Sequence, residues 1–266
     1  MNLQELLAAA IRHFAQHGYL NPTEVEEWSH RIQQAADDPA ALAAEGERVR
    51  RMLEGSFKRA FGKGSIRRAH KNIQPWAADR LIPDARAELE RRIYAAIDLI
   101  RLNKAEATAK TVQRFKGWVT AVPPGGLPDV AVAPIKKDMS KAAREVRWVA
   151  RRVAVDQTAK MLSNVNDIVA TGAGAIAGRW DATFEIARQH RPEHAKRHNL
   201  IYVIRDGWAD RDGLIKHPHG YVDEHDMPAW LINCRCDYEY LYELDDLPAE
   251  MLTPKGREAL ARTRAA

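Results

Sequence analysis

No helix can run unbroken through residues 119–138 of this chain. The stretch reads VTAVPPGGLPDVAVAPIKKD and carries Pro123, Pro124, Pro128 and Pro134, with Gly125 and Gly126 among them. Each proline removes a backbone donor and fixes φ, and the glycine pair permits a sharp turn. The tract divides the 266 residues into two parts. The expected organisation is a helical region over 1–120, a linker or arm over 121–138, a long helix with a small module over 139–248, and a tail over 249–266.

Before the tract the apolar period is helical. Leu3, Leu6, Leu7, Ala10, Ile11 and Phe14 recur at i, i+3, i+4 and i+7, and Gly18 is placed to end that helix. Asn21, Pro22 and Glu24 then supply an N-cap, a first helical residue and a reciprocal acid. Asp38 and Pro39 restart a third helix in the same way. The stretch GKGSIRRAHKNIQPWAADRLIP looks irregular, and a long helix is expected from about Asp84 to Trp118. After the tract, a helix is expected from Ser140 to Gly172 with Val146, Val149, Ala150, Val153, Ala154 and Met161 on its buried side.

Beyond Gly178 the pattern changes. Strands are expected at Arg179–Phe184 and Leu200–Ile204, with a short helical turn starting at Arg191 or Pro192. LINCRCDYEYLYEL alternates as a final strand. The predicted class is therefore α+β: a mainly helical N-terminal half, a Pro/Gly arm and a small C-terminal module with a short sheet.

No run of about 18 apolar residues exists to span a bilayer, and the N-terminal stretch carries Glu5 and Arg12 where a signal sequence would need to be apolar. Cys234 and Cys236, one residue apart, make a poor disulfide pair and point to a reducing compartment. The net charge of +5 is concentrated. Arg48, Arg50, Arg51, Lys58, Arg59, Lys63, Arg67, Arg68 and Lys71 fall in a span whose one acid is Glu54. Lys136, Lys137, Arg144, Arg147, Arg151 and Arg152 follow later. Such density suits a polyanion or an acidic partner surface.

Metal-ligating residue types gather in the last third. A tetrahedral zinc site needs about four Cys, His or acidic ligands. Cys234 and Cys236 share a face if their segment is a strand, and His194 and His198 share one if theirs is a helix. Those four would be the ligands of any metal. No Cys-x-x-Cys is present, and the expectation is no cofactor: two small buried thiols, with His194 bonded to the backbone or to an acid. His217, His219, Asp223, Glu224, His225 and Asp226 could instead serve a metal-dependent DNA-processing enzyme, the alternative reading. No nucleophile or base is paired with them, so no catalytic residue is assigned. Gly172, Gly174 and Gly178 lack the Lys-Ser/Thr of a phosphate loop and read as a helix end and a turn. Arg191 and Arg235 suit bridging of carbonyls or carboxylates, and Trp180 and Trp230 suit covering the small core.

One ordered set of motifs runs through this region: a strand with Trp180, then Arg191-Pro-Glu-His194, then a turn at Asn199 before the apolar LIYVI, then Asn233-Cys234-Arg235-Cys236. In this order the segment 179–240 resembles the phage Mu F-like minor head proteins, also called the phage head morphogenesis family. Many relatives place an acid near the position of Ala187, often have Gly where Asn199 stands, and in some cases carry Cys-x-x-Cys in place of Arg191-Pro-Glu-His194. The resemblance implies a minor virion protein inside the head near the portal vertex, made in the host bacterial cytoplasm and acting in head assembly or genome delivery. The implied partners are the portal protein, the major capsid or scaffold protein, and packaged double-stranded DNA, with no membrane and no small-molecule substrate. Arg48, Arg50, Arg51, Lys58, Arg59, Arg67 and Arg68 are the expected nucleic-acid or partner contacts.

Overall fold

The computed structural model describes residues 3–19, 21–61, 75–127, 132–184 and 191–265. Among them the helices are α1 (Leu3–His17), α2 (Pro22–Ala36), α3 (Pro39–Phe61), α4 (Pro75–Val119), α5 (Val132–Met139), α6 (Lys141–Gly172), α7 (Pro192–Lys196), α8 (Trp208–Arg211) and α9 (Pro254–Ala265). The strands are β1 (Ala177–Asp181), β2 (Ile201–Val203) and β3 (Asp237–Leu241). The α+β class with a helical N-terminal half is as the periodicity predicts. No helix of the described residues is long and apolar enough to cross a membrane.

The chain forms two compact units, and they do not divide at the Pro/Gly tract. Residues 1–51 and 94–154 make the first, and 52–93 and 155–266 the second. Both α4 and α6 contribute to each, so the boundary falls inside helices, where a linear reading has no signal for it.

In the first unit, Leu6, Leu7, Ile11 and Phe14 of α1 pack with Val25 and Ile32 of α2, Phe115 and Val119 of α4, and Met139 of α5. Asn21 caps α2 by accepting from the Glu24 N–H at 2.9 Å. The Glu24 carboxylate does not complete the expected reciprocal box; it pairs with His13 at 2.6 Å, because α1 brings that ring within reach.

The described parts of the Pro/Gly tract, 119–127 and 132–138, are not a free arm. Val122 is buried, the Leu127 N–H donates to the Ala15 carbonyl, and residues from Val132 are already helical. Gly18 and Gly126, at φ +78° and +80°, let two backbone turns meet. A Cβ on Gly126 would lie 2.4 Å from the Ala15 carbonyl oxygen, whereas one on Gly125 would meet nothing within 4 Å. Both Gly125 and Gly126 hold left-handed φ, a conformation costing L-residues about 1–2 kcal/mol. Gly126→Ala should therefore destabilise by roughly 2–3 kcal/mol and Gly125→Ala by only about 1, read by urea unfolding of the two variants side by side.

Several details differ from expectation. Residues 75–83 are helical, not irregular, and Pro83 lies inside α4. Proline disfavours a helix interior without forbidding it when the flanking turns are strongly helical. On α6, Ala154 and Met161 are buried, but Val149, Ala150 and Val153 are only half-buried, and the Val146 side chain is outside the described residues. The Cys-Arg-Cys segment precedes β3 and is unpaired, so the last strand starts three residues after Cys234.

In the second unit the sheet order is β2-β1-β3, antiparallel throughout. Alternation sorts its side chains by period two. Ala177, Ile201, Val203 and Leu241 face an aliphatic core with Leu214, Ile215, Leu247 and Leu252. Trp180, Tyr202, Tyr238 and Tyr240 face the other way with Cys234 and Cys236. Gly178 is a mid-strand residue, not a turn; a Cβ there would come within 3.0 Å of the Tyr238 ring. The tail is partly tied down: Ala259 and Leu260 of α9 pack on the aliphatic core.

Candidate functional site

The aromatic face of the sheet carries a compact polar centre. Its first part is α7. Pro192 opens this helix, and Arg191 stands at the N-cap without capping it. The Arg191 guanidinium donates to the Ile232 carbonyl at 2.9 Å, tying the start of α7 to the segment before Cys234. The exit is set by Asn199 at φ +67°, the left-handed turn its residue type tolerates. The Asn199 N–H donates to the Trp180 carbonyl, and the Trp180 N–H to the Leu200 carbonyl, so α7 is hooked back onto β1.

This placement buries His194 between two partners. Its Nε2 lies 2.8 Å from Oδ2 of Asp226. Its Nδ1 faces Cys234 Sγ at 3.4 Å and Cys236 Sγ at 3.6 Å. Arg197, three residues after His194, donates to the other Asp226 oxygen at 2.9 Å and lies over the Trp180 ring. The Trp180 indole, fully buried, meets the His194 ring edge-on.

The cysteines arrive from a loop held by α6. Ser163 donates to the Pro228 carbonyl, and the Asn233 N–H donates to Asp156 at 2.7 Å. Ala229 and Asn233 both take left-handed φ, which turns the chain so that Cys234 and Cys236 both reach the imidazole. Alternation alone predicts a shared strand face; an extended, unpaired segment achieves the same convergence.

Donation by the Cys236 S–H holds the Cys234 thiol down at about 5, with burial opposing and the N–H groups of Cys236 and Ala229 and the nearby His194 assisting. Cys236 is raised in consequence, by the neighbouring Cys234 sulfur first and by burial second. The buried Trp180 indole N–H opposes that rise. For Asp226, burial pushes the carboxyl up, but Arg197 and His194 outweigh it and hold it below the ordinary range. Two thiols, an imidazole and an orienting carboxylate can bind a soft cation or share protons. All three ligand-type residues are buried: His194 is 3% exposed, Cys234 3% and Cys236 6%.

Other expected residues fall elsewhere. His198 is not in the centre: past the end of α7, its Nδ1 accepts from the Ala182 N–H and its ring packs on Phe184. Among the described residues Arg235 donates to the neighbouring Cys234 carbonyl, while Arg191 makes the longer bridge. Trp180 covers the core, but Trp230 is 62% exposed and does not, because the turn at Ala229 directs it outward. In the His217–Asp226 loop, Asp223 and Glu224 pair with Arg205, His217 stacks on Tyr221, and His225 bonds the Tyr238 hydroxyl. Among the described residues these six side chains form no group of potential metal ligands. The role of Asp226 is not legible in the sequence, because its partners lie about thirty residues earlier; the i, i+3 spacing of His194 and Arg197 is the available clue.

Of the basic cluster, Arg48, Arg51, Lys58 and Arg59 are exposed on α3, and Arg50 is half-buried. Lys63, Arg67, Arg68 and Lys71 lie outside the described residues, as does Ala187.

His225 should make the second unit acid-sensitive. Burial holds its imidazole below the ordinary value and Arg197 pushes the same way, against Asp226, Glu224 and Asp223. The unfolded chain then binds the proton more readily below about pH 6.5. The contribution of neutral His225 is present above that pH and is lost as pH falls through the lower folded value. Urea midpoints should fall between pH 7.5 and 5.5, and less steeply in His225→Gln.

No family model, no curated protein and no solved structure matches this chain.

Proposed function

We propose that this chain is a minor head protein of a tailed bacteriophage, bound to the portal or inner capsid and touching packaged DNA during head assembly or genome delivery. The observation that carries the reading is the junction of the two motifs behind the resemblance. Arg191 of the first donates to Ile232 beside the second, and the buried His194 of the first lies against Cys234 and Cys236 of the second. A module closed in this way serves as a scaffold, and the role is structural rather than catalytic. The exposed cations on α3 would neutralise phosphates, which makes that contact sequence-independent and salt-sensitive.

Co-expression with the portal, scaffold and major capsid proteins of a tailed phage tests the assignment. Heads purified on a gradient should contain the chain, and heads made without the portal should lose it. Absence from complete heads would remove the assignment. The DNA contact is tested separately. Replacing Arg48, Arg50, Arg51, Lys58, Arg59, Arg67 and Arg68 by Ser should weaken duplex binding and flatten its salt dependence. The log–log slope should fall by up to about 0.9 for each phosphate no longer neutralised. Unchanged binding would place the DNA surface elsewhere.

A further inference from the structure

We propose that His194, Cys234 and Cys236 bind a zinc ion that staples α7 to the segment before β3. The three ligand atoms lie within 4.8 Å of one another, and all three residues are buried. Their spacing is that of ligands around a metal. Zn–S and Zn–N bonds of about 2.3 and 2.0–2.1 Å at tetrahedral angles put sulfur and nitrogen roughly 3.6 Å apart. The Nδ1 to Sγ distances here are 3.4 and 3.6 Å.

The outer contacts fit as well. A metal-bound histidine characteristically donates its other ring N–H to a carboxylate, which fixes tautomer and orientation. Asp226 stands at Nε2, itself held by Arg197. With the proton on Nε2, the lone pair of the neutral ring is on Nδ1, facing the sulfurs. The charges also balance: Zn²⁺ enters, the thiol protons leave to solvent, and two thiolates with a neutral imidazole give a site of zero net charge. That is what a buried position tolerates. A zinc staple would also explain why three polar groups converge where the aromatic face of the sheet otherwise packs apolar side chains.

This inference is independent of the head-protein reading, since it concerns the isolated chain. The full-length protein is purified under reducing conditions without chelator, and its metal content is measured. One zinc per chain is expected. After chelation, cobalt(II) should restore one equivalent with the absorption of a tetrahedral site and a sulfur-to-cobalt charge-transfer band, both lost on zinc addition. C234S and C236S should each lose zinc and weaken the charge-transfer band, while H198A keeps both. X-ray absorption at the zinc edge of the unsubstituted protein decides the matter even where those variants fail to fold. Two sulfurs at about 2.3 Å and at least one nitrogen at about 2.0–2.1 Å are expected, and the same spectrum identifies the fourth ligand. A metal-free chain that gives no charge-transfer band with cobalt would overturn the site. So would a zinc bound only by nitrogen and oxygen.

Discussion

Trp180→Ala should lower the unfolding free energy of the second unit by about 3–5 kcal/mol, the range for truncating a fully buried Trp. The side chain has no exposed surface. It meets His194 edge-on at 5.2 Å, Tyr238 at 5.5 Å and His225 at 5.7 Å, and Arg197 covers its ring. Deleting it opens a cavity against the cysteine–histidine centre, so the loss should be accompanied by readier alkylation of Cys234 and Cys236. Trp230→Ala is the matched control. That indole is 62% exposed and should cost no more than about 0.5 kcal/mol. Chemical denaturation of both variants, with thiol labelling under native conditions, measures the two effects. Similar losses for the two tryptophans would mean that the plug is not organised around Trp180.

Glu88→Ala should cost about 3–5 kcal/mol, because it removes one member of a buried ionic network and leaves the others uncompensated. Glu88 is 8% exposed and accepts from Arg91 at 2.7 and 2.9 Å, from Arg92 at 2.7 Å and from Asn164 at 2.9 Å. Burial alone would raise its carboxyl; the two arginines and Asn164 reverse this and hold it below the ordinary range. The Arg91 side chain is 61% exposed and can return to water, so most of the cost falls on Arg92 and Asn164. Glu88→Gln keeps the shape and one acceptor and should fall between alanine and the parent. The sign of the pH dependence follows from the lowered value. Glu88 stabilises above the unfolded carboxylate range, and that contribution is lost as pH falls through the folded value. A parent and a Glu88→Gln variant with identical acid unfolding would show that the network is not coupled to folding.

Glu88 does not stand out in the sequence. It sits in a helix rich in charges, and nothing local distinguishes it from Glu90 two residues later; its partner Asn164 is 76 residues away. Trp180 is legible as a core residue because it lies in a short strand between small residues, whereas Trp230 carries the same apolar bulk and the turn at Ala229 decides its exposure. The centre itself is half legible. His194, Cys234 and Cys236 can be named from residue type and spacing, but the same reasoning adds His198, because a helical i, i+4 pair is expected to stay together. The helix stops at Lys196, and the left-handed Asn199 then draws His198 toward the end of β1.

Local sequence carries what depends on neighbours within a few positions: the helical period of α1 to α3, the Asn21 cap, the short α7 behind Pro192, the turn at Asn199, and the order of the three strands along the chain. Only the tertiary structure decided which imidazole nitrogen faces the sulfurs, that Asp226 holds the other one, and that the two compact units divide within helices. The physical reason is range. Periodicity and capping act over one or two turns, while the closure that joins residues 194, 226 and 234 depends on strand pairing and burial between segments the linear pattern leaves unconnected.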